Sequence, residues 1–398
     1  MTIATAITAC RLCGGNGLTS IINFGNPYIS DFLDPGALGT RAPLQAVRCT
    51  ACGLVQLLHT VDRNLLYADR YWYRSGANES MVAALGDIAR IAADSLKVGD
   101  RVLDIGANDG TLLSLYPDRV HKVAVEPSGL AQDGLARHAD VIVRDFWPTE
   151  IEGNFKRITT IACFYDADDP HAFVQAIKEA LAPDGLWIVQ FQDADSILRQ
   201  NAVDYFCHEH LCLWNPIQFG SLCAEHDLHV IRVMGNDING GSLRFFVGHG
   251  ENKELRPKTE LEITSEDARA RQWQDFAEKA QRLRKQAQEW SAQSDIIHGI
   301  AASTKANYLL QWYGIDASTL QAIVERAPEK IGKTTVNSIP IISEDQAAEL
   351  RPDYYVALAW HFLDGFRQRY PDVPFITLLP EVKTYPAWNA ARQMAGVE

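Results

Sequence analysis

Apolar positions along residues 78–97 recur at helical spacing, with Met81, Leu85, Ile88, Ile91 and Ala92 on one face, which predicts an amphipathic helix. Short apolar runs bounded by turn residues follow at 102–105, 122–126, 141–146, 157–164 and 186–191, each reading as a buried strand. A helix is expected over 170–181, and Leu181-Ala-Pro183-Asp184-Gly185 reads as a turn into the strand after it. Residues 229–234 and 242–247 read as two strands joined through 236–241, a hairpin. Thr264-Ser-Glu-Asp267 is a helix start with acids in its first turn. Trp273, Phe276, Ala280, Leu283, Ala287 and Trp290 then form one apolar stripe, read as a bridging helix packed on a neighbouring domain. Beyond it the alternation resumes: strand 297–301, helix 305–312, strand 320–324, helix 344–350, strand 354–360, helix 361–369, strand 375–379. Strands alternating with helices predict α/β layers with mainly parallel sheets, the second layer smaller than the first.

Composition narrows the classes. A chain of 398 residues holds roughly two to four domains, and 47% hydrophobic with 22% charged residues is ordinary for a globular protein with a core. The net charge of −13 argues against non-specific nucleic-acid binding and against adhesion to anionic membranes. No apolar run approaches the roughly 20 residues of a membrane span. The start, Met1 to Cys10, has neither a basic region nor a long apolar stretch, so a cytoplasmic protein is expected. There cysteines serve as thiols or metal ligands rather than disulfides.

The eight cysteines fall into two groups. Cys10-Arg-Leu-Cys13 and Cys49-Thr-Ala-Cys52 are each followed by glycine, the spacing of two knuckles that close four thiolates around Zn²⁺. Four protein ligands leave no open position, so the metal is expected to be structural. Cys163, Cys212 and Cys223 show no ligand spacing and read as core residues.

The strand at 102–105 runs into Asp104-Ile-Gly106-Ala-Asn108-Asp-Gly110, and Glu126 stands at the tip of the next strand, 20 positions after Gly106. Small residues let backbone approach a ligand at the first turn, and a carboxylate at the second strand tip can accept both hydroxyls of a ribose. A dinucleotide fold wants G-x-G-x-x-G. The run Asp104-x-Gly106-x-Asn108-x-Gly110 matches better the turn of class I S-adenosylmethionine enzymes, and a closing antiparallel hairpin points the same way. Asp145 and Phe146, at the third strand end, suit an adenine. The expected cofactor contacts are therefore Asp104, Gly106, Asn108, Gly110, Glu126, Asp145 and Phe146.

The densest polar cluster is Asp204-Tyr-Phe-Cys207-His208-Glu209-His210, after the fifth strand, on the side where open α/β sheets bind ligands. A histidine oriented by a neighbouring carboxylate is the usual general base; His-x-His can also bind metal, but no third ligand presents itself by spacing. An aromatic cluster, Tyr67-Ala-Asp-Arg-Tyr71-Trp-Tyr73-Arg74-Ser75-Gly76, links the cysteine module to the cofactor domain. In the tail, Ser303-Thr-Lys305 opens a helix and can meet a phosphate or stand as a solvated helix start.

In the order of its motifs the chain resembles the three-domain S-adenosylmethionine-dependent C-methyltransferases that make branched-chain deoxysugars on nucleotide carriers. The likeness covers nearly the whole chain: the paired Cys module with Cys52-Gly-Leu-Val-Gln56, Tyr71-Trp-Tyr73-Arg74-Ser75, the Asp104–Gly110 turn, Cys207-His208-Glu209-His210, Asn239-Gly-Gly-Ser-Leu-Arg244, Lys305, and Pro352-Asp-Tyr with Leu358-Ala-Trp360. It implies an N-terminal zinc-binding module (1–70), a central class I methyltransferase domain of Rossmann-like fold (71–255), and a bridging helix with a smaller Rossmann-like substrate domain (256–398). It implies a reaction: a base removes the proton at carbon 3 of a 4-keto sugar, and the enolate takes the methyl of S-adenosylmethionine. His210 with Glu209 and Tyr73 would be catalytic; Cys207, Tyr165, Lys305 and Asn239 would meet the substrate, Lys305 at its diphosphate.

The chain departs from the family pattern twice. Where some sugar enzymes carry a histidine after strand four it reads Cys163-Phe-Tyr165-Asp166, with Tyr165 or Asp166 as the replacement, and where a tyrosine can precede the Glu-His pair it has Cys207. Two other readings stand beside this one: a methyltransferase acting on oxygen or on a non-sugar ketone, and a non-catalytic zinc-stabilised adaptor. A nucleotide-linked sugar is the expected partner, with no nucleic acid and no membrane, for a monomer or homodimer.

Overall fold

The computed structural model describes residues 3–67, 71–129, 132–250, 266–290 and 296–389. They divide into two compact units. The first comprises Met1–Ser20, Val47–Ser196 and Glu209–Ala268; the second comprises Ile21–Ala46, Ile197–His208 and Arg269–Glu398.

In the first unit, helix α1 (Glu79–Ala92) begins where the Asn78 side chain accepts the Ser80 N–H, and it buries Leu85, Ile88, Ala89 and Ala92, the face read from the periodicity. Strands β1 (Arg101–Ile105), β2 (His121–Val125), β3 (Val141–Val143), β4 (Phe155–Ile161), β5 (Leu181–Phe191), β6 (Leu228–Asn236) and β7 (Ser242–His249) make one sheet in the order β6-β7-β5-β4-β1-β2-β3. From β5 to β3 the neighbours run parallel, and β7 is antiparallel to both β5 and β6. β1 lies between two parallel neighbours and is covered on both faces, which is why Val102, Leu103 and Ile105 are all buried. Helix α2 (Pro170–Ala180) starts at Asp169, whose carboxylate accepts the Ala172 N–H at 2.9 Å, with Pro170 in its first turn.

Two local expectations change. The turn at Pro183–Gly185 does not precede the fifth strand but interrupts it: Leu181 pairs with Phe155 and Leu186 with Arg157, so the intervening residues bulge out. A helix the apolar periodicity did not reveal, α3 (Pro216–Glu225), is started by a reciprocal cap in which the Asn215 side chain accepts the Gln218 N–H while the Gln218 side chain accepts the Asn215 N–H.

In the second unit, helix α4 (Glu266–Trp290) buries Trp273, Phe276, Ala280, Leu283 and Ala287 as the stripe requires; residues 264 and 265 of its expected start lie outside the described residues. Strands β8 (Ile297–Ile300), β9 (Ala322–Val324), β10 (Ile341–Ile342), β11 (Tyr354–Ala357), β12 (Phe375–Thr377) and β13 (Lys383–Tyr385) form a sheet in the order β10-β9-β8-β11-β12-β13, parallel except for β13. Helix α5 (Thr304–Tyr313) follows β8, its start capped by Ser303, which accepts the Ala306 N–H at 3.1 Å. The strand expected to reach Trp360 ends at Ala357; Trp360–Phe362 is a 3-10 turn into a helix over Leu363–Arg369. Among the described residues, no helix is long and apolar enough to cross a membrane.

Candidate functional site

The two Cys-x-x-Cys turns close in the same way. Gly14 N–H returns to the Cys10 carbonyl and Gly53 N–H to the Cys49 carbonyl, while Leu12 N–H and Ala51 N–H point at the Cys10 and Cys49 sulfurs, each at 3.4 Å. Cys10 Sγ lies 3.6 Å from Cys52 Sγ, Cys13 Sγ 3.6 Å from Cys49 Sγ, and all four sulfurs fall within 4.8 Å of one another. A regular tetrahedron with Zn–S bonds of about 2.3 Å has edges of about 3.8 Å, so this donor set fits Zn²⁺. The thiol hydrogen bond from Cys52 holds Cys10 down at about 4, so its sulfur stands as the thiolate a metal takes. Gln56 Nε2 donates to Cys10 Sγ at 3.1 Å and its Oε1 accepts from Arg11 N at 3.1 Å. The Arg11 guanidinium donates to the Leu57 carbonyl at 2.7 Å, Thr60 Oγ1 at 2.8 Å and Asp168 Oδ1 at 3.0 Å. The knuckle is thereby pinned to the turn that precedes α2.

Past β1 the chain turns through Gly106 (φ +71°), Asn108 (φ +51°) and Gly110 (φ +78°). A Cβ on Gly106 would meet Cys163 Sγ at 2.8 Å, so no larger residue fits between the two strand ends. Glu126, just beyond β2, accepts the Asn108 N–H at 2.9 Å and the Ser128 N–H at 2.8 Å; burial pushes its carboxyl up. The Asn108 carboxamide accepts the Ser75 N–H and donates to the Tyr73 carbonyl, both at 3.0 Å, and Asp109 accepts the Gly76 N–H at 2.9 Å. The segment 73–76 is therefore fastened to the glycine turn, leaving Tyr73 42% exposed. Asp104 is turned into the sheet: its Oδ1 accepts from Thr159 Oγ1 at 2.6 Å, and burial raises its carboxyl to about 7. Asp145 is exposed and accepts the N–H of Phe146 at 2.7 Å. The Phe146 ring carries the Arg63 guanidinium at 4.3 Å and the Tyr67 ring at 6.1 Å.

Glu209 and His210 lie in the same unit. The His210 ring packs edge-on to Tyr165 at 4.6 Å. The hydroxyl of Tyr67 is hydrogen-bonded to Asp166 and lies 3.5 Å from the Glu209 carbonyl. Tyr71 stacks at a tilt on Tyr67 at 5.4 Å and faces Tyr73 at 6.5 Å. Burial first, then the charges of Asp166, Tyr73, Glu126 and Glu209, push the Tyr71 phenol well up. Cys163, read as a core residue, is only partly buried, because it lines the turn opposite Gly106. Asn239 stands at φ +56° in the turn between β6 and β7, and Arg244 is a strut, donating to Gln190 at 2.9 Å and Asp87 at 2.8 Å.

The remaining residues read from the sequence belong to the second unit. His208 Nδ1 meets Tyr308 Oη at 2.6 Å and Nε2 meets the Ala42 carbonyl at 3.1 Å, so its two nitrogens are committed to structure. Among the described residues the four cysteines alone form a metal-ready group, so His208 and His210 do not make a second centre. Cys207 is fully buried. Lys305, in the first turn of α5, lies over the Tyr205 ring at 5.2 Å, and Trp360 Nε1 donates to Asp204 Oδ2 at 3.2 Å. These groups stand beyond β8 and β11, where the sheet order reverses and open α/β sheets bind ligands. A cavity of about 650 Å³, lined by Tyr28, Arg41, Arg284 and Trp312 among others, lies toward the other end of α5.

A seven-stranded sheet of this order, a glycine turn after its first strand and an acid at the tip of its second define a class I S-adenosylmethionine-dependent methyltransferase. Gly106, Asn108, Gly110 and Glu126 fit that ligand, and when bound it supplies a methyl group as an electrophile. Three family models match in succession: a zinc binding domain over residues 10–67, a methyltransferase domain over 77–233 and a C-methyltransferase C-terminal domain over 237–375. The chain thus carries these three domains in order, and it is an enzyme, an S-adenosylmethionine-dependent methyltransferase. The C-methyltransferase NovU of Streptomyces niveus is 28% identical over 391 residues, covering 90% of this chain and 91% of that protein. Among solved structures, the mitomycin 7-O-methyltransferase MmcR is 18% identical with a TM-score of 0.35, over 44% of this chain and 55% of that one. The 1,6-didemethyltoxoflavin-N1-methyltransferase of Burkholderia thailandensis, solved with S-adenosylhomocysteine, is 13% identical with a TM-score of 0.35, over 44% of this chain and 81% of that one. Structural likenesses at those scores say nothing of the acceptor.

Proposed function

We propose that this methyltransferase acts in the cytoplasm on carbon 3 of a nucleotide-linked 4-keto-deoxysugar. The observation that carries the reading is the gathering, in one unit, of Glu209 and His210 with Tyr165, Tyr71 and the Glu126–Asn108 turn. A carbon acid beside a ketone needs a base to take its proton and donors to hold the oxygen as charge builds there. His210 is the base and Glu209 orients it. Tyr73, fixed by the Asn108 bond to its carbonyl, stands at the sugar. Glu126, Gly106, Asn108 and Gly110 hold the donor, with Asp104 behind them and Asp145 and Phe146 at the adenine. Tyr165 and Asn239 are acceptor contacts, and Lys305, at the switch point of the second sheet, takes the diphosphate. In this reading residues 1–70 carry the metal, 71–255 the donor and reacting carbon, and 256–398 the nucleotide. The NovU relative and the C-methyltransferase C-terminal domain support carbon as the acceptor.

The test is incubation with methyl-¹³C S-adenosylmethionine and a panel of nucleoside-diphosphate 4-keto-deoxysugars, read by NMR. A new methyl on quaternary or branched carbon is expected. Label on oxygen, or transfer only to ketones that carry no nucleotide, refutes the reading.

A further inference from the structure

Asp166 ends the short turn Phe164–Asp166 beyond β4, the turn that also presents Tyr165 to the His210 ring. One of its oxygens is engaged by the Tyr67 hydroxyl. Oδ1 is shut off from solvent and has no hydrogen-bond partner among the described residues. Its charged neighbour is Glu209, and the other titratable groups that feel it are the Tyr71 phenol and the Cys163 and Cys212 thiols. No cation figures among them. Burial and the Glu209 charge push the Asp166 carboxyl well above the usual carboxylate range. A carboxyl raised by burial and by the charge of a second carboxylate holds its proton far more readily than a free one. Such a group is a donor whose Oδ1 meets no acceptor among the described residues, and enolisation of a keto sugar has need of a donor.

Resting on that chemistry, we propose that Asp166 is the acid of the acceptor site, giving its proton to the keto oxygen while His210 takes the proton from the neighbouring carbon. The step balances without any other reactant. The C–H bond breaks and its proton goes to the imidazole, the released pair forms the carbon–carbon double bond, and the carbonyl π pair moves to oxygen, which bonds the Asp166 proton. Reversal returns both protons, so hydrogen at that carbon exchanges with solvent in the absence of the methyl donor.

The experiment follows deuterium uptake from D₂O into a 4-keto-deoxysugar nucleotide by enzyme free of S-adenosylmethionine. For Asp166→Ala a fall of about 10²–10³-fold is expected, the usual effect of losing one oxyanion donor. Asp166→Asn, which keeps the shape and a hydrogen bond but has no acidic proton to give, is expected to recover only part of that loss, staying about tenfold or more below the wild type. Independently, the infrared difference between wild type and Asp166→Asn at neutral pH is expected to show a carboxylic acid carbonyl band. Exchange undiminished in Asp166→Ala, or a carboxylate band in place of the acid band, overturns the role of Asp166 alone. A wild-type enzyme that exchanges no sugar hydrogen overturns the sugar reading and this role together.

Discussion

Gly106 offers the sharpest test of how the donor turn is built. Its φ of +71° is a left-handed conformation, and an added Cβ would lie 2.8 Å from Cys163 Sγ and 3.2 Å from Cys163 Cβ. Gly106→Ala therefore carries two separable costs. The left-handed backbone costs a non-glycine residue about 1–2 kcal/mol. Crowding the cysteine, which hangs from the opposite strand end and donates to the Ile105 carbonyl at 3.3 Å, adds about 1–3 kcal/mol. Cys163→Ala in the same chain removes the sulfur but not the backbone cost, so the double variant should regain most of the second figure and none of the first. In a chain of several domains a global unfolding energy is not well defined. The suitable readout is native-state hydrogen exchange of the β1 and β2 amides, which reports the opening energy of that unit. Gly106→Ala is expected to lower it by about 2–5 kcal/mol, and the double variant by about 1–2 kcal/mol. Calorimetric S-adenosylmethionine affinity should fall in the single variant and partly return in the double. A single variant within about 0.5 kcal/mol of wild type, or a double no better than the single, would refute this account of the turn.

Asp104 should tie stability to pH. Its carboxyl stands at about 7 in the folded chain against about 3.9 unfolded, so between those values the folded state holds a proton that the unfolded state has lost. Stability of the unit around β1 should then fall, relative to Asp104→Asn, as pH rises from about 4 to 7, by up to about 4 kcal/mol; native-state hydrogen exchange of the β1 amides at both ends checks it, and a constant gap contradicts it. Freshly purified protein should hold one zinc per chain by metal analysis, released by a thiol reagent with a drop in melting temperature; clearly substoichiometric zinc would undo the structural-site reading. Arg11→Ala should cost about 1–3 kcal/mol, because it strips the buried Leu57 carbonyl of its guanidinium donor. Asp168→Asn, at the exposed end of the same ion pair, should cost under about 1 kcal/mol; equal losses in thermal melts would deny that ranking.

Repeating patterns were the legible part of the sequence. The strands around the glycine turn announce themselves as apolar runs because parallel strands are covered on both faces, and α1 and α4 by their stripes. The zinc knuckles were legible because ligand spacing is itself a geometric statement. Short polar starts were harder: α3 hides behind Asn215-Pro-Ile-Gln218, a cap signal without a clean apolar period after it. The strand read through Trp360 stops at Ala357 because periodicity cannot see that the chain there bends into a 3-10 turn, with the indole bonded to Asp204. Nor could spacing show that adjacent residues part company. In His208-Glu209-His210, the first histidine is spent on Tyr308 and the Ala42 carbonyl, while the last faces Tyr165.

Carboxylates carry the least information in a sequence and the most in this fold. Asp104, Glu126 and Asp166 all stand at or near the carboxyl ends of neighbouring strands, and by letter they are interchangeable. Their partners separate them. A single hydroxyl, from Thr159, meets Asp104 inside the sheet; two backbone N–H groups meet Glu126; one phenol and a neighbouring carboxylate meet Asp166. Backbone N–H groups stabilise an anion, so Glu126 is the member of the three best suited to stay charged and accept from a ribose. A site with a negative neighbour and no cation among the described residues does the reverse, which suits Asp166 to the proposed role of proton source. The division of labour between donor and acceptor sides thus follows from which hydrogen-bond donors each strand end happens to face, and that is a property of the sheet order rather than of any one motif.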